Sequence, residues 1–167
     1  MSSPDEIHAW SEAMVDSIQE LCQSTWEINA ELSPIQSEKF PKGTPGSYIA
    51  LVGDLYNYEF GVAASWSDCE ILSKRLLFME EDEEIAEAEV ADAMNEIANI
   101  VGGGVKRRMS DYDAGLKLGL PTFFEGPICP TIEQESSYAQ VSVDGVDVFL
   151  VALKHKTAAH TSSAPGR

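Results

Sequence analysis

The stretch that decides the reading of this chain is Asp92-Ala93-Met94-Asn95-Glu96-Ile97-Ala98-Asn99-Ile100-Val101-Gly102-Gly103-Gly104-Val105. At about 100° per residue, Val90, Met94, Ile97, Val101 and Val105 share one stripe, which marks a buried helix face. Asp92, Asn95, Glu96, Asn99 and Gly103 fall on the opposite, outward side. Glu96 and Asn99 are three residues apart, hence neighbours about 60° apart around the axis, and can act on one object. A carboxylate beside an amide can engage a cation with one group and orient a water with the other. No other Glu-x-x-Asn occurs in the chain. An acidic outer helix face is more often only a solvated face. However, Asn is a poor interior helix residue, and two of them stand on this one. Each glycine of the following triplet costs a helix roughly 1 kcal/mol relative to alanine. Such a run either ends the helix with Gly102 as C-cap or admits another backbone closely. Val105 still lies on the apolar stripe, which favours continuation to about Met109.

Working outward, Ser3-Pro4-Asp5-Glu6 predicts a helix start, with Ser3 as N-cap and Glu6 closing a capping box. Ile7, Trp10, Met14, Ile18 and Leu21 carry that helix to about Ser24. Glu27 to Leu32 reads as a short strand, and Ser37 to Ser47, rich in Pro and Gly, as a loop. Tyr48 to Gly53 and Tyr58 to Ser65 read as a hairpin joined by Asp54-Leu55-Tyr56-Asn57. Ser67-Asp68-Cys69-Glu70 has the form of a second capping box, opening a helix with Leu72, Leu76 and Met79 as its stripe. Five acids, Glu80 to Glu84, then lead into the long helix, predicted over 84–109, as a solvated turn with charge favourable to a helix start. Lys106-Arg107-Arg108 complements the dipole at its end.

Asp111 to Gly119 is turn-rich. Leu118 to Gly126 reads as an edge or entry strand because Pro121 cannot donate to a central ladder. Tyr138 to Val143 and Val146 to Leu153 flank Asp144-Gly145, the best hairpin signal in the chain, and their β-branched content predicts two central strands. The fold class expected is α+β: a largely antiparallel sheet with the 3–24 and 84–109 helices packed on one face. Residues 1–156 are expected to form a single domain and 157–167 a flexible tail.

Composition narrows the function classes. The chain has 167 residues, 44% of them hydrophobic, which suits a folded protein with a core. Eleven Lys and Arg against 28 Asp and Glu give a formal charge of −17. Such a field repels nucleic-acid backbones and anionic membrane surfaces. There is no apolar run of membrane-spanning length and no signal-peptide pattern. Cys22, Cys69 and Cys129 are odd in number and widely spaced, which reads as reduced cysteines in a cytoplasmic protein. They make no zinc spacing with His8, His155 and His160. The glycine triplet follows a helix rather than a strand and lacks the Gly-Lys-Ser/Thr ending, so no phosphate-cradling loop is present.

Asn95 to Gly103 resembles the signature helix of the CheC and CheX chemotaxis phosphatases, which carries Glu-x-x-Asn followed by small residues. Leu120-Pro121-Thr122 with Gly126 is similar to the Leu-Pro strand that follows that helix in the family. The element order matches over roughly residues 5 to 155. One Glu-x-x-Asn rather than two points to the single-site, CheX-like branch. The resemblance implies a CheC/CheX-like fold and hydrolysis of the aspartyl phosphate of a CheY-type receiver domain. It implies that Asn99 orients the attacking water and that Glu96 anchors the receiver's lysine. It implies no cofactor of the chain's own, with Mg2+ expected in the phosphorylated receiver partner. A CheX-like homodimer is implied as well. The alternative in another class is a non-catalytic receiver-binding or adaptor protein with the same fold, since fold alone does not fix chemistry. In one respect the chain departs from the family. Where many members place a polar residue, often Asn, after the glycine, Gly102-Gly103-Gly104 is all glycine, which predicts a looser helix below Asn99.

Overall fold

The computed structural model describes residues 4–28, 43–126 and 135–155. Their order is α1 (Pro4–Ser24), β1 (Gly46–Val52), β2 (Asn57–Ala63), α2 (Trp66–Leu76), α3 (Glu87–Met109), β3 (Lys117–Leu118), β4 (Thr122–Phe124), β5 (Glu135–Val143) and β6 (Val146–His155). The class is α+β, with every strand pairing antiparallel.

The apolar stripe of α3 is the centre of the core. Val90, Met94, Ile97, Val101 and Val105 are fully buried, and each contributes about 1.5–3 kcal/mol by leaving water. They meet Trp10, Met14, Ile18 and Leu21 of α1, Leu72 of α2, and Ile49, Phe60 and Leu150 of the sheet in one continuous cluster. All three helices therefore cover the same face. On the opposite face, Tyr48, Val151 and Leu153 form a small separate cluster. Ile7, expected on the α1 stripe, is 43% exposed, whereas Trp10, one turn further on, is buried.

The sheet runs β3-β1-β2-β6-β5, with β4 also on β1. β1 and β2 form the expected hairpin, Ile49 opposite Phe60 and Leu51 opposite Tyr58. The expected edge strand is present in two pieces. β3 pairs with Leu51 and Val52, and β4 with Gly46 to Tyr48. Between them Gly119 donates its N–H to Ala50 O at 2.8 Å, and Pro121, which has no N–H, falls where the ladder breaks. The Asp144-Gly145 turn adopts left-handed φ at both positions, 49° and 81°, as a tight hairpin joining β5 to β6 requires.

Several expectations need correction. β6 is interior, but β5 is the last strand of the described sheet rather than a central one. Its β-branched residues report one buried face, packed under α1, and not pairing on both edges. α2 begins at Trp66, capped by Ser65, whose Oγ accepts from Asp68 N at 3.2 Å. The capping box read at Ser67 is thus displaced by two residues, and Glu70 instead accepts from Trp66 Nε1 at 3.1 Å. Met79 lies past the end of that helix, after Phe78 takes a left-handed φ of 56°. The long helix begins at Glu87 rather than 84, with Glu89 Oε2 reaching back to Ala86 N. Arg107 and Arg108 do more than complement the dipole, since both pair with Glu20 and so tie α3 to α1. The Glu20 carboxyl is held below its usual pKa, chiefly by the hydrogen bond from Arg108. Glu27 has φ of 54° and Ile28 is in no strand; the remainder of the strand expected over 27–32 lies outside the described residues. So do Ser3, Cys129 and the tail 157–167.

Asp113, only 5% exposed, is the polar pin of this end of the fold. Its carboxylate accepts from the backbone N–H of Asp54 (3.3 Å), Leu55 (3.2 Å) and Gly115 (3.0 Å). The β1–β2 turn is thereby clamped to the segment after α3. Burial alone would raise the Asp113 pKa, but the N–H donors of Leu55, Gly115, Asp54 and Tyr56 together outweigh it and hold it below 3.8. A depressed folded-state pKa means that this stabilisation is present above the unfolded-state value and is lost as pH falls through the folded one. Asp113→Ala is expected to cost about 2 kcal/mol at pH 7. In urea denaturation the gap to wild type should narrow steadily below about pH 4.

Candidate functional site

The site is built on α3, whose 23 residues extend about 34 Å. The helix runs without a break through Gly102, Gly103 and Gly104 to Met109. It is not loosened by the triplet, and the reason lies in what each glycine faces. At Gly102 a β-carbon would stand 3.1 Å from Ile49 Cγ2 and 3.3 Å from Leu118 Cδ2. At Gly104 it would stand 2.8 Å from Ser17 Oγ and 2.9 Å from Ser17 Cβ. The first glycine lets α3 sit close on the sheet, and the second lets α1 sit close on α3. Tertiary packing on two sides offsets the poor helix propensity.

Glu96 and Asn99 are both exposed, one turn apart on the outward side, and neither makes a side-chain hydrogen bond or ion pair among the described residues. Their shared helix fixes their separation without help from any loop. Asp92, also exposed, continues the same face one turn toward the N-terminus. Beside it, a groove between the end of α2 and α3 is lined by Leu77, Ala93 and Ile100, with Glu89, Asp92 and Glu96 along it. Leu77 and Ile100 are 45% and 38% exposed, so the carboxylates sit next to accessible apolar surface.

Asn95 does not belong to the free outward group. It is half-buried, and its Oδ1 accepts a hydrogen bond from the buried Ser47 hydroxyl at 2.9 Å. It therefore ties α3 to the start of β1. The two asparagines that the sequence places on one face have different jobs, one holding the helix and one left open. Leu118 of β3 borders this face, and Leu120-Pro121 lies on the connection to β4 with Leu120 90% exposed.

The family model described as "Chemotaxis phosphatase CheX" matches residues 46–144, which contain the whole of α3. The chain belongs to the CheX family. Solved structures agree on the fold. The chemotaxis protein CheX of Desulfovibrio desulfuricans is 14% identical, with a TM-score of 0.72 over 87% of this chain and 99% of that one. CheX of Vibrio vulnificus is 17% identical, with a TM-score of 0.69 over 87% and 96%. The CheX–CheY–BeF3–Mg2+ complex of Borrelia burgdorferi gives 17%, 0.69, and coverage of 88% and 98%. No curated protein sequence matches significantly. Among the described residues no helix is long and apolar enough to cross a membrane.

Because Asn99 is exposed and holds nothing inside the protein, Asn99→Ala should leave the fold intact. Alanine is the better helix former, so thermal unfolding should show equal stability or a gain of a few tenths of a kcal/mol. Asn95→Ala should behave oppositely and cost about 1 kcal/mol, since it strands the buried Ser47 hydroxyl.

Proposed function

We propose that this protein hydrolyses the aspartyl phosphate of a CheY-type receiver domain, with Asn99 orienting the attacking water and Glu96 anchoring the receiver through its lysine. The observation that carries the reading is the pairing of a free carboxylate and a free amide one turn apart on a rigid, outward helix face. Membership of a chemotaxis phosphatase family supports it, as does a structural relative seen in complex with CheY, BeF3 and Mg2+.

The chemistry suits so small a donor set. An acyl phosphate is already activated, so a water held in line with phosphorus is most of what hydrolysis requires. The Asn99 amide supplies that orientation through hydrogen bonds and needs no change of protonation. Glu96, three residues away on the same face, forms an ion pair with the lysine and sets the register in which Asn99 meets the phosphoryl group. The acidic surroundings argue against direct capture of the phosphoryl oxygens by this chain. In this reading the Mg2+ that balances their charge belongs to the receiver, and this protein contributes no cofactor. The two free, buried cysteines Cys22 and Cys69 suit a reducing cytoplasm, where receivers act.

A homodimer fits the same reading. β5 closes the described sheet, and a nine-residue edge strand is a natural place for a second copy to add. Light scattering at micromolar concentration should give twice the chain mass; a strict monomer would remove this part of the proposal.

The decisive assay follows dephosphorylation of a phosphorylated CheY-type receiver. Asn99→Ala should lower the rate by roughly 10²-fold, the scale of a positioned group, while binding is kept. Glu96→Ala should weaken binding of the BeF3- and Mg2+-loaded receiver measured without turnover. Full activity in Asn99→Ala would refute the catalytic assignment, and wild-type binding without any turnover would leave a non-catalytic adaptor.

A further inference from the structure

Gly102 and Gly104 are explained by packing, and Gly103 is not. It is half-buried on the outward side, and a β-carbon there would meet only Leu118 Cδ1 at 3.8 Å, an ordinary contact. Its φ does not require glycine, since it sits within regular helix. A methyl group would fit and would favour the helix, yet the position carries none. Stability within this chain gives no reason for glycine at 103.

Position 103 is four residues beyond Asn99 and seven beyond Glu96, which puts it on the same face as both. Helical side chains lean toward the N-terminus and cover the turn before their own Cα. A long side chain at 103 would therefore extend toward the turn that carries Asn99, on its C-terminal flank, although a β-carbon alone would not touch it. Leu118 borders position 103 from the sheet side, and a β-carbon there would meet no other side chain within 4 Å, so the helix surface beside Asn99 is left open on this side.

We infer that Gly103 is a positioning residue of the Glu96–Asn99 site, kept bare so that the receiver's surface can approach the helix backbone closely enough for the Asn99 amide to reach the phosphoryl group. The inference rests on the proposed receiver phosphatase reading and deepens it. Clearance, rather than flexibility, is what the glycine provides, because the helix is regular on both sides of it.

Gly103→Ala and Gly103→Gln separate clearance from packing, with Gly104→Ala as the contrast. Both Gly103 variants should keep wild-type helicity by circular dichroism and a Tm equal to or above wild type. Gly104→Ala should lower Tm, because Ser17 must move. Affinity for a CheY-type receiver loaded with BeF3 and Mg2+ should fall at least 10-fold in Gly103→Gln and by less in Gly103→Ala, and the dephosphorylation rate should fall with it. A folded Gly103→Gln that binds and turns over like wild type would overturn the inference. A Gly103→Gln that unfolds would also overturn it, by showing that position 103 is a packing glycine like its neighbours. Failure of the underlying reading looks different: wild type would not bind the loaded receiver, or Asn99→Ala would keep full activity.

Discussion

Burial of the α3 stripe between α1 and the sheet is the constraint on which the rest depends. Val90, Met94, Ile97, Val101 and Val105 leave water together, and that fixes the rotation of the helix about its own axis. Once the rotation is fixed, Glu96 and Asn99 have one direction left to face. A helix turned by even one residue's worth of rotation, about 100°, would carry the pair into α1 or the sheet. The glycines that flank the stripe keep this arrangement tight: Gly102 presses α3 onto Ile49, and Gly104 admits Ser17. Polar contacts then add to it, with Ser47 on Asn95 partway along the helix and Glu20 on Arg107 and Arg108 at its C-terminal end. The Glu20 pairs are exposed and worth little individually; their value is in orienting two helices already held by apolar burial.

How far the molecule could be read from its sequence follows from how local each determinant is. The α3 stripe, the Glu96–Asn99 face and the Asp144-Gly145 turn are decided within a turn or two of chain, and all three stand in the structure as the spacing indicates. Continuation of the helix through three glycines was legible only through Val105 returning to the stripe. The reason it is tolerated was not, because Ile49, Leu118 and Ser17 come from elsewhere in the chain. Asn95 illustrates the limit well. Its partner Ser47 is 48 residues away, and without it Asn95 looks the same as Asn99. The position of β5 at the end of the sheet likewise depends on β2 pairing with β6, a choice that no local pattern encodes. The cap at Ser65 is masked in the sequence, because Ser67 and Glu70 imitate a capping box two residues later.

The polar chemistry of the molecule is divided by depth. Asp113 is buried and fully engaged by backbone donors, so its charge is committed to holding a turn. Glu96, a carboxylate of the same kind of charge, has no partner within the described chain. The contrast matters because a group already satisfied internally must break something to meet a partner, whereas a free one loses only water. Surroundings thus separate two carboxylates that in composition are only two among 28.

Seating the outward pair on a helix whose inner stripe is the core has a further consequence for how the protein can be regulated. Regions that open locally have few buried contacts, and residues 94–105 have the opposite character. Their amides should exchange with solvent only through global unfolding, as one cooperative unit with the sheet. Such a surface has no order–disorder equilibrium of its own for an effector to bias. It can be occluded by another molecule or withheld by the state of its partner, but it cannot be melted in isolation.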